Sequence, residues 1–337
     1  MKPARLSNIE LLRIIAMFGV LICHSDFGAL QVPSQSELNA SPIYCVSRIL
    51  IESFALVSVN VFVLISGWFG ISFRGRSLGN LLFQTFFFFF GIYAVLVLLG
   101  EQEFNANGIY RCLMLSENAW FIKAYLGMYI LAPAINEMIK HLTAKQIKAI
   151  IITFFVFQTI YGWISDGAGY INKGYSAFSF IGLYMLARYV RVYRPRIFTK
   201  TAKFDIFIYT ICSLLTAAVI ILLVWRDSFL WYRFMDYTSP LTIVASVFLL
   251  LAVSKWSFQS KFVNSIAVSC FAVYLMHFMI FPTYMRPTIQ WIAGHYNGIS
   301  MFAFISLLLL SFFVVAISVD RVRLLIWKRL ISPLFHD

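Results

Sequence analysis

RIIAMFGVLICH, residues 13–24, places a guanidinium at one end, an imidazole at the other, and ten uncharged residues between them. Eleven helical steps come to about 20° past three full turns, so both side chains project from nearly the same face. Their separation along the axis is about 16 Å, roughly half the hydrocarbon thickness of a bilayer. Each residue alone has an ordinary role. Arg13 can snorkel one turn inside a membrane, and His24 can hydrogen-bond Ser25 or Asp26 at a helix end. Ionisable groups at membrane depth are costly and usually functional, so one face carrying both marks a candidate site.

The rest of the chain fits this membrane setting. Of its 337 residues, 61% are hydrophobic and 12% charged, against roughly 25% charged in soluble domains. The apolar runs continue from end to end, which predicts one integral membrane domain over residues 1–337 with a short cytoplasmic tail from about 320. Ten stretches suit membrane helices: about 8–28, 46–71, 78–99, 117–139, 149–165, 175–190, 204–225, 237–254, 264–282 and 299–319. The fold expected is all-α, a polytopic bundle of about ten helices. The first stretch has no small-residue cleavage site behind it and reads as a retained span.

The distribution of cations orients the bundle. With the N-terminus inside, nineteen of the 27 Lys and Arg fall in cytoplasmic segments, including Arg74, Arg76, the Arg188–Lys203 group and Arg321–Arg329. This asymmetry predicts that both termini are cytoplasmic. Topology and anionic lipid account for the net charge of +13, and nucleic acid is not needed.

Cys23, Cys45, Cys112, Cys212 and Cys270 are scattered without a CxxC, which suggests neither zinc nor a disulfide framework. Cys45 with Cys112 is a weak candidate for a bridge, since both stand toward the outer face. No metal site and no permanently bound cofactor are expected.

The outer connections are LQVPSQSELNASP, EQEFNANGIYR, DGAGYINKG, RDSFLWYRFMD and TYMRPTIQWIAGHYNG, polar segments interleaved with aromatics. They suit solvated loops with an interfacial aromatic belt first, and a rim facing sugar as the alternative. No internal repeat of the transporter kind is visible.

Several polar residues inside the apolar stretches have two readings each. Ser7 and Glu10 have capping-box spacing, and Glu10 also stands one turn before Arg13. Arg48 and Glu52 are i, i+4 and can pair with each other, or Glu52 can orient His24 or an acceptor hydroxyl. Lys123, three residues after Trp120, can snorkel outward or stabilise an oxyanion. His277, one turn after Tyr274, is a packed histidine or a catalytic one. Asn60 and Ser66 lie deeper, where helix–helix hydrogen bonding is the default. Asn136 and Glu137 read as interfacial.

At these residues the chain resembles a known family. NIELLRIIAMFGVLICH is similar to the first helix of the acyltransferase-3 family of membrane acyltransferases, marked by a cation, ten residues and a histidine; Arg13 and His24 match it. VNVFVLISGWF (59–69), WFIKAYLGMYILAP (120–133) and YLMH (274–277) resemble its later motifs, in order. Trp68 stands where phenylalanine is commoner.

The resemblance implies transfer of an acyl group, commonly acetyl from acetyl-CoA as co-substrate, to a hydroxyl of an exported or cell-surface carbohydrate, a polysaccharide or lipid-linked sugar. It implies a multi-pass enzyme of the inner, cytoplasmic membrane. Arg13 and His24 would be catalytic, with Arg13 and Ser66 holding the donor. Glu52, Lys123, Trp120, Tyr274 and His277 become candidates for the acceptor or the oxyanion. A guanidinium suits phosphate, and an imidazole is the usual base for a hydroxyl at neutral pH. The rival is a secondary transporter or flippase for a sugar-containing substrate, with Arg13, Glu52, Lys123 and His277 lining the path.

Overall fold

The computed structural model describes residues 5–116, 119–165 and 168–335. Lys2, the start of the fourth stretch at 117–118, the DG that opens the third outer connection, and the last two residues lie outside them. Among the described residues the secondary structure is helical and there is no strand. Twelve helices carry the fold: α1 (Ser7–Ser25), α2 (Pro42–Ala55), α3 (Ser58–Phe69), α4 (Gly75–Leu98), α5 (Trp120–His141), α6 (Ala144–Gln158), α7 (Ala177–Tyr193), α8 (Ala202–Trp225), α9 (Pro240–Ser254), α10 (Cys270–Ile280), α11 (Arg286–His295) and α12 (Gly298–Ile326).

Local chemistry sets many of the ends. Thr143 and Gln146 form a capping box that opens α6. Pro42 and Pro240 sit in the first turns of α2 and α9, where a missing N–H costs nothing. Gly70, at φ +77°, closes α3 in a conformation that side chains resist. The expected loops also contain short helices, Gln35–Ala40 and Ala106–Cys112 among them. The first is held by a reciprocal Ser34–Glu37 capping box. The Ser34 N–H bonded to the Glu37 carboxylate holds its pKa below the ordinary carboxylate value.

Each of the ten apolar stretches coincides with a helix, but among the described residues seven helical segments are long and apolar enough to cross a membrane: Ser7–Leu30, Pro42–Phe69, Gly75–Leu98, Ala144–Ile164, Ala202–Trp225, Lys261–His295 and Gly298–Leu334. The other three stretches fall short for physical reasons. Helices α7 and α9 have 17 and 15 residues, and α5 is interrupted by Lys123, Asn136 and Glu137. The segment read as a tail from 320 continues the last helix through a π turn at Trp327–Ile331. Arg323, counted among the cations of the cytoplasmic segments, is buried there. The Cys45–Cys112 bridge does not form; the five cysteines are free, and the Cys112 thiol lies 3.5 Å from the Phe89 carbonyl oxygen.

The chain divides into two compact units. The first comprises residues up to Ile22, Val32–Ser72 and Trp120–Ser260. In it α7 packs on α3 and α5, and α8 on α9 and α2. The approach of α3 to α7 depends on Gly67, since a Cβ there would lie 2.5 Å from the Tyr184 carbonyl oxygen. Ser7 ties the start of α1 to residues 259–260: its hydroxyl donates to Gln259 Oε1 at 3.1 Å and accepts the Ser260 N–H at 2.9 Å.

The second unit comprises Cys23–Gln31, Phe73–Ala119 and Lys261–Asp337. Here α10 packs on α4 and α12, and Phe89 stacks on Phe278 with centroids 5.5 Å apart. A buried ion pair, Arg323 with Asp320 on α12, is completed from α4. Gln84 donates to Asp320 Oδ1 at 3.1 Å, and Arg323 donates to Asn80 Oδ1 at 2.8 Å. Burying two charges is tolerable because their remaining hydrogen-bonding capacity is met in this way.

Candidate active site

His24 lies in the last turn of α1, within the second unit. Its Nδ1 is 2.7 Å from Nε2 of His277, which is fully buried on α10. The ring centroids are 4.8 Å apart, and Phe281 packs against both rings. The partner of His24 is therefore His277 and not Ser25 or Asp26, the alternative that the sequence allowed.

The far side of His277 also has a contact. Its Nδ1 is 3.3 Å from the Met285 sulfur. In a straight helix two residues eight positions apart are separated by about 12 Å along the axis. Between them lies the π turn Phe281–Met285, containing Pro282, which redirects the chain. Irregular π turns of this kind recur at functional sites.

The two polar contacts define a proton arrangement. A thioether sulfur only accepts, and weakly. A proton on His277 Nδ1 meets that acceptor and leaves Nε2 as a lone pair. That lone pair accepts a proton from His24 Nδ1, and a neutral His24 then presents an unprotonated Nε2. The chain His24 Nδ1–H, His277 Nε2, His277 Nδ1–H, Met285 sulfur thus selects the His24 tautomer that can act as a base through Nε2.

Two further bonds fix the segment after α1. Arg286 Nη2 donates to the Gly28 carbonyl at 2.7 Å, and Gln290 Nε2 to that of Ala29 at 3.0 Å. Tyr274 is buried one turn before His277, stacked between Phe271 and Phe278.

The remaining residues singled out from the sequence belong to the first unit. Arg13 is half-buried on α1, and Glu10 Oε2 is 3.7 Å from its guanidinium, the local pair that their spacing suggested. Glu10 also lies 3.6 Å from Arg5. Arg48 and Glu52 are both buried on α2. Lys123 is exposed, as a snorkelling lysine would be. Trp120 sits in an aromatic cluster, its ring 4.4 Å from Tyr175 edge-on and 6.1 Å from Tyr237. Ser66 donates to the Phe62 carbonyl at 3.1 Å, and its oxygen is 3.3 Å from the Tyr125 hydroxyl.

Tyr184 and Asn136 had no functional reading from the sequence. The Tyr184 hydroxyl accepts the Ile71 N–H and donates to Asn136 Oδ1, and Asn136 Nδ2 returns to the Ile71 carbonyl, at 2.8, 2.9 and 2.8 Å. This closed ring fixes the chain just past α3. Its only sequence signal was an asparagine near the end of an apolar run.

An all-helical membrane protein with a histidine pair, one ring of it fully buried, is the class that fold and site define. The chain matches the family model described as an acyltransferase domain over residues 6–321, nearly its whole length, and it belongs to that acyltransferase-3 family. No curated protein and no solved structure matches it.

Proposed function

We propose that the protein is a membrane O-acyltransferase that moves an acetyl group from cytoplasmic acetyl-CoA to a hydroxyl of an exported or cell-surface carbohydrate, in the inner membrane of the cell. The observation that carries this reading is the 2.7 Å contact of His24 Nδ1 with His277 Nε2, taken with the family to which the chain belongs.

The chemistry follows from the tautomer. As the acceptor oxygen attacks the thioester carbonyl, its proton passes to His24 Nε2. The imidazolium so formed keeps its Nδ1–H on His277, whose lone pair stabilises the charge. The carbon–sulfur bond then breaks, and the CoA thiolate takes the proton from Nε2, which restores the starting state. His24 is the catalytic base, and His277 positions it. Arg13 and Ser66 serve the donor. Glu52, Lys123, Trp120 and Tyr274 are assigned to the acceptor or the oxyanion because they share the outer depth of their stretches.

In the same proposal all ten helical stretches cross the bilayer and both termini are cytoplasmic, which puts Arg13 on the donor side and His24 on the acceptor side. The test is acetyl transfer by the purified full-length protein. General-base catalysis supplies about 10²–10⁴-fold. His24→Ala and His24→Gln should lose transfer by that order while still folding and binding acetyl-CoA. A folded His24→Gln protein with near-parental transfer would remove the base role.

A further inference from the structure

The motif Ser66-Gly67-Trp68 and the cation group in the last turns of α7 meet in the structure. Trp68 is buried at the end of α3, and the Arg191 guanidinium lies over its ring, 4.8 Å from the centroid. Two residues on, Gly70 faces Arg188: a Cβ at Gly70 would lie 3.0 Å from Arg188 Cζ and Nη1. The left-handed Gly70, free of a side chain, lets this guanidinium lie against the backbone. Gly67 brings α7 close enough for both contacts. Arg188, Arg191 and Arg194 are spaced i, i+3, i+6, and Arg188 and Arg194 are the charged neighbours of Arg191.

These cations have no acid on their own elements. Residues 53–100, which include α3 and its following loop, contain no Asp or Glu, and neither do residues 168–204, which include α7 and its following loop. Glu137, on the neighbouring α5, is engaged with Lys140 and His141. Arg188 Nε is buried with no hydrogen-bond partner. Arg13, by contrast, has Glu10 beside it. A buried, unsatisfied guanidinium N–H in a cluster of like charge is costly unless an anion completes it. Guanidinium forks match phosphate oxygens in pairs, and an aromatic floor suits their planar faces.

We infer that Arg188, Arg191 and Arg194, seated on Gly70 and Trp68, form a site for clustered phosphates, and that it holds the 3′-phosphate and diphosphate groups of the acyl-CoA donor. This rests on the acyltransferase reading for the identity of the donor. It gives the Ser-Gly-Trp motif a role as the floor of that site.

Phosphate could also come from an anionic lipid headgroup, so the experiment separates the two. Full-length protein in detergent is titrated with CoA, 3′-dephospho-CoA and adenosine 3′,5′-bisphosphate. In parallel it is placed in nanodiscs with and without phosphatidylglycerol. The parent should bind CoA and the bisphosphate, and bind 3′-dephospho-CoA more weakly. Arg191→Gln with Arg194→Gln, both exposed, should keep the thermal midpoint and weaken CoA and bisphosphate about tenfold or more, as charge-assisted bonds are lost. Arg188→Lys should fall between, since it keeps charge without the fork. Unchanged CoA affinity in the double variant overturns the site, as does an effect confined to phosphatidylglycerol. If the parent binds the bisphosphate but transfers no acyl group, the acyltransferase reading fails while the site stands. If it transfers acetyl and the double variant keeps the parental donor KM, the site fails while the reading stands.

Discussion

His24 and His277, 253 residues apart in the chain, share a hydrogen bond of 2.7 Å that admits a single proton. Which ring owns that proton decides what His24 can do. The Met285 sulfur on the far side of His277 biases the outcome.

Replacing His277 should therefore harm the rate through His24. His277→Ala removes the acceptor for the His24 Nδ1–H and should lower kcat about 10–100-fold, within the range seen when an orienting partner is lost. In His277→Gln the side-chain carbonyl can still accept that proton, and part of the rate should return. The two proteins should show similar acetyl-CoA KM values. A large donor KM change with unaltered kcat would contradict a positioning role.

Acid should stop the reaction. The active state has one proton on each ring and an empty His24 Nε2. A further proton added from solvent goes to the atom that must take the acceptor's proton. Turnover should thus fall steadily on acidification and recover on return to neutral pH. A rate that rises with acid, in protein shown to remain folded, would exclude a base at His24.

The ion pair in the second unit makes a prediction about stability. Asp320→Leu leaves Arg323 buried without its acid, a loss of about 3–5 kcal/mol. Asp320→Leu combined with Arg323→Met removes both charges and should recover much of it. Thermal unfolding in detergent is the measurement, and equal midpoints for the single and double variants would contradict this account.

For topology, reporter fusions after the last helix and in the 101–108 connection should report cytoplasm and exterior respectively. An exterior C-terminus would mean an odd number of crossings and would reverse the assignment of one end of the bundle.

Much of this was legible in the sequence where the signal is local. The Arg13–His24 spacing, the Glu10–Arg13 pair and the helical stretches follow from periodicity and hydropathy, which act over a few turns. His277 was visible as a candidate, but its partner was not, because a contact across 253 residues leaves no local trace. Arg323 was misplaced for a related reason. It follows the apolar run, where a cation ordinarily meets water, and its partner Asn80, like the Gln84 that bonds Asp320, lies on another helix. Arg188, Arg191 and Arg194 carried their helical spacing openly, yet a cation count for orientation accounts for them without asking what they face. The distance that sets their floor, Gly70 to Arg188, belongs to packing alone.

The partners of Asp320 and Arg323 also impose an order of assembly on the nascent chain. Gln84 and Asn80 enter the bilayer with α4, but the groups that satisfy them emerge 236 and 243 residues later. At ~5–20 residues per second, the interval is on the order of ten to fifty seconds. During that time α4 carries two polar side chains at membrane depth whose final partners have not been synthesised. The last two turns of α12 are thus what completes the polar contacts of α4.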